Sequence, residues 1–210
     1  MKPLIIIVGP TAVGKTALGI ALAQALNGEI ISGDSVQIYR KLNIGSAKPT
    51  LEEQANIPHY LLDILDPDEP FTVAQFQSLA KKHIQDIQSR DKVPIVVGGT
   101  GLYIRSLLDP FEFPQQGSEE VRESWQKFLA KWGKEALHSE LAKRDPESAK
   151  RLHPNDTVRI IRALEVSQLA GKPYSEVRGN HDLHYPPLDP SIVYVGLTAP
   201  RDIIYERINL

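Results

Sequence analysis

Residues 4–8 (LIIIV) form an unbroken apolar run that stops at Gly9-Pro10. A run this short, without polar alternation, predicts a strand buried on both faces, as in a parallel sheet. Residues 15–26 follow with Ala and Leu at high density and stop at Asn27-Gly28, which predicts a helix and its C-terminus. Residues 29–32 predict a second short strand running into Gly33-Asp34-Ser35, and residues 59–65 a third. Thr72 and Gln75 have capping-box spacing. Behind them Val73, Phe76, Ala80, Ile84 and Ile87 recur at helical intervals, predicting a helix to about Arg90 with this stripe turned inward. Residues 93–97 read as another buried strand, with Pro94 near its start, and end in Gly98-Gly99-Thr100-Gly101 before a helix from about Leu102. Strands alternating with helices predict an α/β fold with a mostly parallel sheet.

Between residues 113 and 178 the pattern changes to charged, tryptophan-containing sequence, with helix starts at Ser118 and Asp145-Pro146. A last helix is expected from Asn155-Asp156 to Gly171, with Pro173 beyond it. Residues 179–190 read as a loop, 192–197 as a returning core strand, and 201–210 as the opening of one more helix. The expected organisation is a core of residues 1–112 and 179–210 interrupted by a helical subdomain, residues 113–178.

Composition narrows the partners more than the function. Hydrophobic residues make up 41% and charged residues 24% of the 210 positions, as in ordinary globular domains. With a formal net charge of -2, any nucleic-acid contact has to come from a local patch. The lack of cysteine excludes disulfides and thiolate metal sites. The first apolar run is too short for a membrane span and has no signal-peptide cleavage pattern, so a cytoplasmic protein without a membrane partner is expected.

Residues 9–16, Gly9, Pro10, Thr11, Ala12, Val13, Gly14, Lys15 and Thr16, fit G-x-x-x-x-G-K-[ST] between a predicted strand and a predicted helix. Glycines let successive N–H groups turn inward, the helix adds its positive end, and Lys15 adds a full charge. This is a grip for a diphosphate or triphosphate, with the Thr16 hydroxyl as a ligand for Mg²⁺. P-loop kinases and hydrolases commonly carry a second strand ending in Asp, but residues 93–97 run into Gly98-Gly99-Thr100 instead. The carboxylate at a strand end is Asp34, a candidate base or metal partner, or else an Asx turn or helix cap.

GPTAVGKT, GDSVQIYRKLNIGSAKP, PHYLLDILDP, VVGGTGLYIRSLL and HPNDTVRIIRALEV, in this order and spread over nearly the whole chain, resemble the tRNA dimethylallyltransferase family. The resemblance implies a P-loop kinase-like three-layer core. It also implies transfer of a dimethylallyl group from dimethylallyl diphosphate to the exocyclic N6 amine of an adenosine in the tRNA anticodon loop. Lys15 and Mg²⁺ would then neutralise the diphosphate leaving group, Asp34 would take the amine proton, and Thr100 would approach the acceptor or the diphosphate. The tRNA contacts it implies are Asp34, Ser35, Val36, Gln37, Thr100, Val158, Arg159, Ile160, Ile161 and Arg162, and Arg122 is expected to join them as a cation from the preceding helix. Family members run beyond residue 210, so a C-terminal portion is expected to be missing, and a monomer is expected.

Lys143, Arg144, Lys150, Arg151, Arg159 and Arg162 outnumber Asp145, Glu147 and Asp156 locally, a positive excess suited to phosphates. Arg201 and Arg207 are open to two readings, a diphosphate contact or an exposed helix charge. The six histidines show no metal-ligand spacing. The competing readings are an adenine-nucleotide prenyltransferase, a small-molecule P-loop kinase, and a non-catalytic RNA- or nucleotide-binding module.

Overall fold

The first apolar run forms strand β1 (Leu4–Val8), whose alternate side chains serve opposite faces of a sheet. Leu4 and Ile6 join one core cluster, Ile5 and Ile7 another. The glycine loop leads into α1 (Lys15–Leu26), which ends with Asn27 in the left-handed conformation at φ 52. Asn27 rather than Gly28 closes the helix, because Gly28 already begins strand β2 (Gly28–Ser32). Strand β3 covers only His59–Tyr60, a correction to the expected strand over residues 59–65. Leu61 and Asp63 have φ of 58 and 55, so the backbone leaves the pleat directly after Tyr60. Helix α2 (Val73–Ser89) starts in a complete Thr72/Gln75 capping box, and Phe76, Ala80 and Ile87 of its predicted stripe are fully buried. Strand β4 (Val93–Val97) and α3 (Gly101–Leu108) follow.

The helical elements are α4 (Glu119–Arg144), α5 (Pro146–Arg151), α6 (Thr157–Ala170) and α7 (Tyr174–Arg178). The computed structural model describes residues 2–108, 117–178 and 189–209. The expected boundary after residue 112 and residues 179–188 of the expected loop lie outside the described residues. Strand β5 (Ile192–Gly196) and α8 (Arg201–Ile208) return to the sheet. The chain divides into two units, Met1–Phe111 with Tyr185–Leu210, and Glu112–His184.

In the first unit the five strands are parallel in the order β3-β2-β4-β1-β5. Helices α2 and α3 cover one face and α1 the other, giving three layers. Pro94 is tolerated in a central strand because Val93 N–H donates to Asn27 on the β2 side. The nitrogen of Pro94 therefore faces β1, whose register with β4 starts only at Ile5 and Ile95. β5 does return to the sheet, pairing with β1, but where a core strand was expected it lies at the edge: Val193 and Tyr194 are exposed and α8 has no buried residue.

One buried charge ties the opposite end of this sheet together. The Glu29 side chain is 1% exposed and accepts from both terminal nitrogens of Arg90 at 2.6 Å, from Lys92 at 2.6 Å and from the Tyr60 hydroxyl at 2.8 Å. The Arg90 hydrogen bonds, ahead of those from Lys92 and Tyr60 and against the cost of burial, hold its carboxyl down at about 2.

The second unit packs α4 and α6 around Trp125, Leu137, Leu141, Ile160 and Leu164. Ser118 and Asp145 cap α4 and α5 as their sequence positions predict, and Gly171 ends α6. Gly133, at φ 79 and ψ 174, kinks α4 midway. Among the described residues no helix is long and apolar enough to cross a membrane.

Candidate active site

The loop between β1 and α1 is shaped by backbone conformations that few sequences allow. Ala12 has φ 64 and Gly14 has φ 99, and at Gly14 no atom lies within 4 Å of where a Cβ would sit. Glycine is therefore required there by the backbone and not by space. Gly14 offers no side-chain cap to α1, so the first-turn N–H groups stay available to a ligand at the helix's positive end. The Lys15 ammonium donates to the Pro10 carbonyl at 2.7 Å. Burial lowers its pKa, and the charge of Asp34 partly opposes that shift.

Asp34 follows β2 at the same end of the sheet. One carboxylate oxygen accepts from Val36 N–H at 2.8 Å and from Gln37 N–H at 3.3 Å, an Asx turn that fixes the carboxyl plane. The turn and the site reading are compatible, since Asp34 also lines the cavity described below. Three strand ends are locked beside it. Gly33 N–H donates to Val97, Gly98 N–H to Ile7, and Thr100 N–H to Gly33. A Cβ on Gly98 would stand 2.2 Å from the Gly33 carbonyl oxygen, so these two backbones touch and only glycine fits.

Thr100 accepts from Ser35 N–H at 3.0 Å and donates to the Ser35 hydroxyl at 3.3 Å. Gln37 accepts from Ser32 and donates to the carbonyls of Ser46 and Ala47 at 3.0 Å. Lys48, with its side chain only 5% exposed, binds Tyr39 O, Asn43 and, at 2.6 Å, Asp63. These bonds hold the segment around residues 42–48 as a wall.

The wall, α1 and the strand ends enclose a cavity of about 730 Å³. Thr11, Ala12, Gly14, Lys15 and Thr16 line it together with Asp34, Val36 and Gln37. Ile20, Ala21, Ile30, Pro49 and Val97 add an apolar side. Of the remaining expected site residues, Gly9, Pro10, Val13, Ser35 and Thr100 are not on the lining, and Thr100 acts on Ser35 from behind. Sequence reasoning missed Ser46, Pro49, Glu53 and His59 as lining residues. Ser46, Pro49 and His59 lay within motifs already singled out, so the full length of those motifs was the available signal. His59 donates from Nδ1 to the Ile57 carbonyl at 2.8 Å, and burial lowers its pKa. Its Nε2 is buried and has no partner among the described residues.

Arg207 reaches the glycine loop, donating to the Ala12 carbonyl at 3.1 Å, and Arg201 is exposed. Among the described residues no group of three or more His, Asp or Glu is arranged to hold a metal. The Thr16 hydroxyl and the Asp34 carboxylate both belong to residues lining the cavity and are the kind of hard oxygen donor Mg²⁺ takes, since it usually binds through one or two protein groups plus phosphates and water.

The expected RNA-contacting residues of the second unit separate by helix face. Val158 is 79% exposed, Arg159 points outward beside Asp156 at 3.3 Å, and Arg162 is half-exposed. The helical period turns Ile160 and Ile161 into the core, 0% and 7% exposed, so their side chains pack within the unit and Val158, Arg159 and Arg162 carry the outer surface of this helix. Asp145, counted as offsetting the basic patch, is buried at the start of α5 and accepts from Ser148 and Ser175. Arg122 and Arg162 share a partner absent from the sequence reading, the fully buried Glu165.

Comparison with known proteins extends this local picture. The IPP transferase family profile matches residues 37–210. A tRNA dimethylallyltransferase of Desulfitobacterium hafniense strain DSM 10664 / DCB-2 is 79% identical over 209 residues, spanning 100% of this chain and 67% of its own length. The solved full-length tRNA isopentenylpyrophosphate transferase of Bacillus halodurans is 45% identical, with a TM-score of 0.62 over 100% of this chain and 64% of its own. A eukaryotic dimethylallyltransferase solved while acting on tRNA is 32% identical, with a TM-score of 0.83 over 99% of this chain and 51% of its own. The chain thus spans about two thirds of the bacterial relatives. With a profile match over most of its residues and a curated relative at that identity, the chain belongs to the IPP transferase family of tRNA dimethylallyltransferases.

Proposed function

We propose that the protein transfers the dimethylallyl group of dimethylallyl diphosphate to N6 of an adenosine beside the tRNA anticodon and releases diphosphate, with Mg²⁺ and in the cytoplasm. One observation carries the reading: Lys15, Thr16 and Asp34 face the same cavity, while β4 ends in glycines with no carboxylate of the kind a P-loop kinase uses.

The N–H groups at the start of α1 and the Lys15 ammonium meet the diphosphate, where negative charge grows as the allylic C–O bond breaks. Thr16 would hold Mg²⁺, which when bound supplies further charge neutralisation on the diphosphate oxygens. Ile20, Ala21 and Val97 give the allyl chain an apolar surface. The N6 lone pair forms the new C–N bond, and the proton lost from N6 passes to the Asp34 oxygen not engaged in the turn. An anticodon-loop adenine reaches such a cavity only when extruded, which costs a few kcal/mol. Arg122, Arg159 and Arg162 supply cations for the RNA backbone, where contacts position without reading sequence.

The test is incubation with dimethylallyl diphosphate, Mg²⁺ and unmodified tRNA, followed by nucleoside analysis. One prenyl group on one adenosine is the expected product. ATP hydrolysis without prenyl transfer would refute the reading.

A further inference from the structure

We infer that Glu165 is the positioning residue of an RNA-phosphate clamp whose jaws are Arg122 and Arg162. The inference rests on the proposed tRNA-binding role of the second unit and adds the device that aims its cations.

Glu165 sits on α6 with its side chain fully buried, yet both carboxylate oxygens are used. One accepts from Arg122 of α4 at 3.1 Å, and the other from Arg162, one turn earlier on α6, at 2.8 Å. Two arginines from different helices, 43 positions apart for Arg122, are thus drawn to one anion. Their side chains keep 48% and 38% exposure while the carboxylate they bind keeps none, so both arginines are tied to a buried anion without being buried themselves. Free arginine side chains lose rotamer entropy when fixed, and a carboxylate that fixes them beforehand removes that cost from binding. Gly117 passes beside the arrangement: a Cβ there would lie 2.5 Å from a Glu165 oxygen and 2.7 Å from Arg122 Nη2, so any side chain at this position would have to push the cluster's own ends aside. The cluster keeps one net positive charge, and its planar forks suit phosphate oxygens.

The sign of one substitution separates positioning from simple charge. Glu165→Gln deletes a negative charge next to an RNA site, so plain Coulomb attraction predicts tighter tRNA binding. A positioning carboxylate predicts the reverse. We expect Glu165→Gln to raise the Kd and KM for tRNA roughly tenfold, with the KM for dimethylallyl diphosphate and kcat at saturating tRNA retained. The loss should vanish in an Arg122→Ala/Arg162→Ala background, where nothing remains to be aimed. If that double variant does not fold by circular dichroism, Arg122→Gln/Arg162→Gln, which keeps hydrogen-bond donors to Glu165, serves as the background. Tighter or unchanged tRNA binding by Glu165→Gln overturns the inference. So does a loss that persists undiminished in the arginine-free background, which would mark a purely structural carboxylate. Prenyl transfer by the wild-type protein decides the proposed function separately.

Discussion

Glu29→Gln isolates the buried ion cluster of the first unit and has a size that can be worked out beforehand. The carboxyl stands at about 2 instead of its ordinary 4.5, and at 1.36 kcal/mol per pH unit that difference is worth about 3 kcal/mol at neutral pH. Glutamine keeps the shape but loses the charge that Arg90 and Lys92 share. Those two side chains are 37% and 32% exposed and regain some hydration, so the loss should fall at the low end of the 3–5 kcal/mol typical of broken buried pairs, about 3 kcal/mol. The sign of the pH dependence follows from a depressed acid: the stabilisation is complete above the unfolded value of 4.5 and fades as pH falls toward about 2. Urea unfolding at matched m-values should therefore show a gap between wild type and variant of about 3 kcal/mol at pH 7, shrinking to less than half of that near pH 3. A gap of the same size at both pH values would refute the reasoning, because a merely steric loss does not titrate.

Asp34→Asn keeps an oxygen for Val36 and Gln37 and so keeps the turn; kcat for prenyl transfer should drop by roughly 10²–10⁴-fold while tRNA affinity is retained. Full activity in that variant would remove Asp34 as the base. Lys15→Met should raise the KM for dimethylallyl diphosphate and lower kcat by at least roughly tenfold, with the tRNA Kd unmoved, measured by steady-state transfer and filter binding. Gly98→Ala has to push its Cβ into the Gly33 carbonyl, and calorimetry should show a loss of at least about 2 kcal/mol together with impaired transfer.

Features set by neighbours in sequence were legible. The α1 bounds, the capping box at Thr72 and the glycine loop depend on residues within a turn of one another, and they stand where the pattern predicts. Features set by distant partners were not. Nothing local announces that Leu61 and Asp63 turn left-handed after two strand residues, or that β5 lacks cover on its outer positions. Lys15, Thr16 and Asp34 reach one cavity from motifs that carry their own chemistry. Glu53 lies in no such motif and arrives there only through folding. Glu165 reads as one more surface acid until Arg122, 43 positions away, is seen beside it, and Ile160 and Ile161 were assigned to RNA by motif membership where helix phase turns them inward.

The contact of Gly33 with Gly98 sets a fixed gauge in the molecule. Main chain rests on main chain there, so the span from the glycine loop to Asp34 includes no rotamer that could flex and no side chain that substitution could resize. Room for a larger donor or acceptor has to come from side chains instead, from Ile20 and Ala21 on α1 or from residues 42–48, which Lys48 and Gln37 hold by bonds that substitution can alter. The cavity thus has one side that evolution can adjust and one that it has to keep.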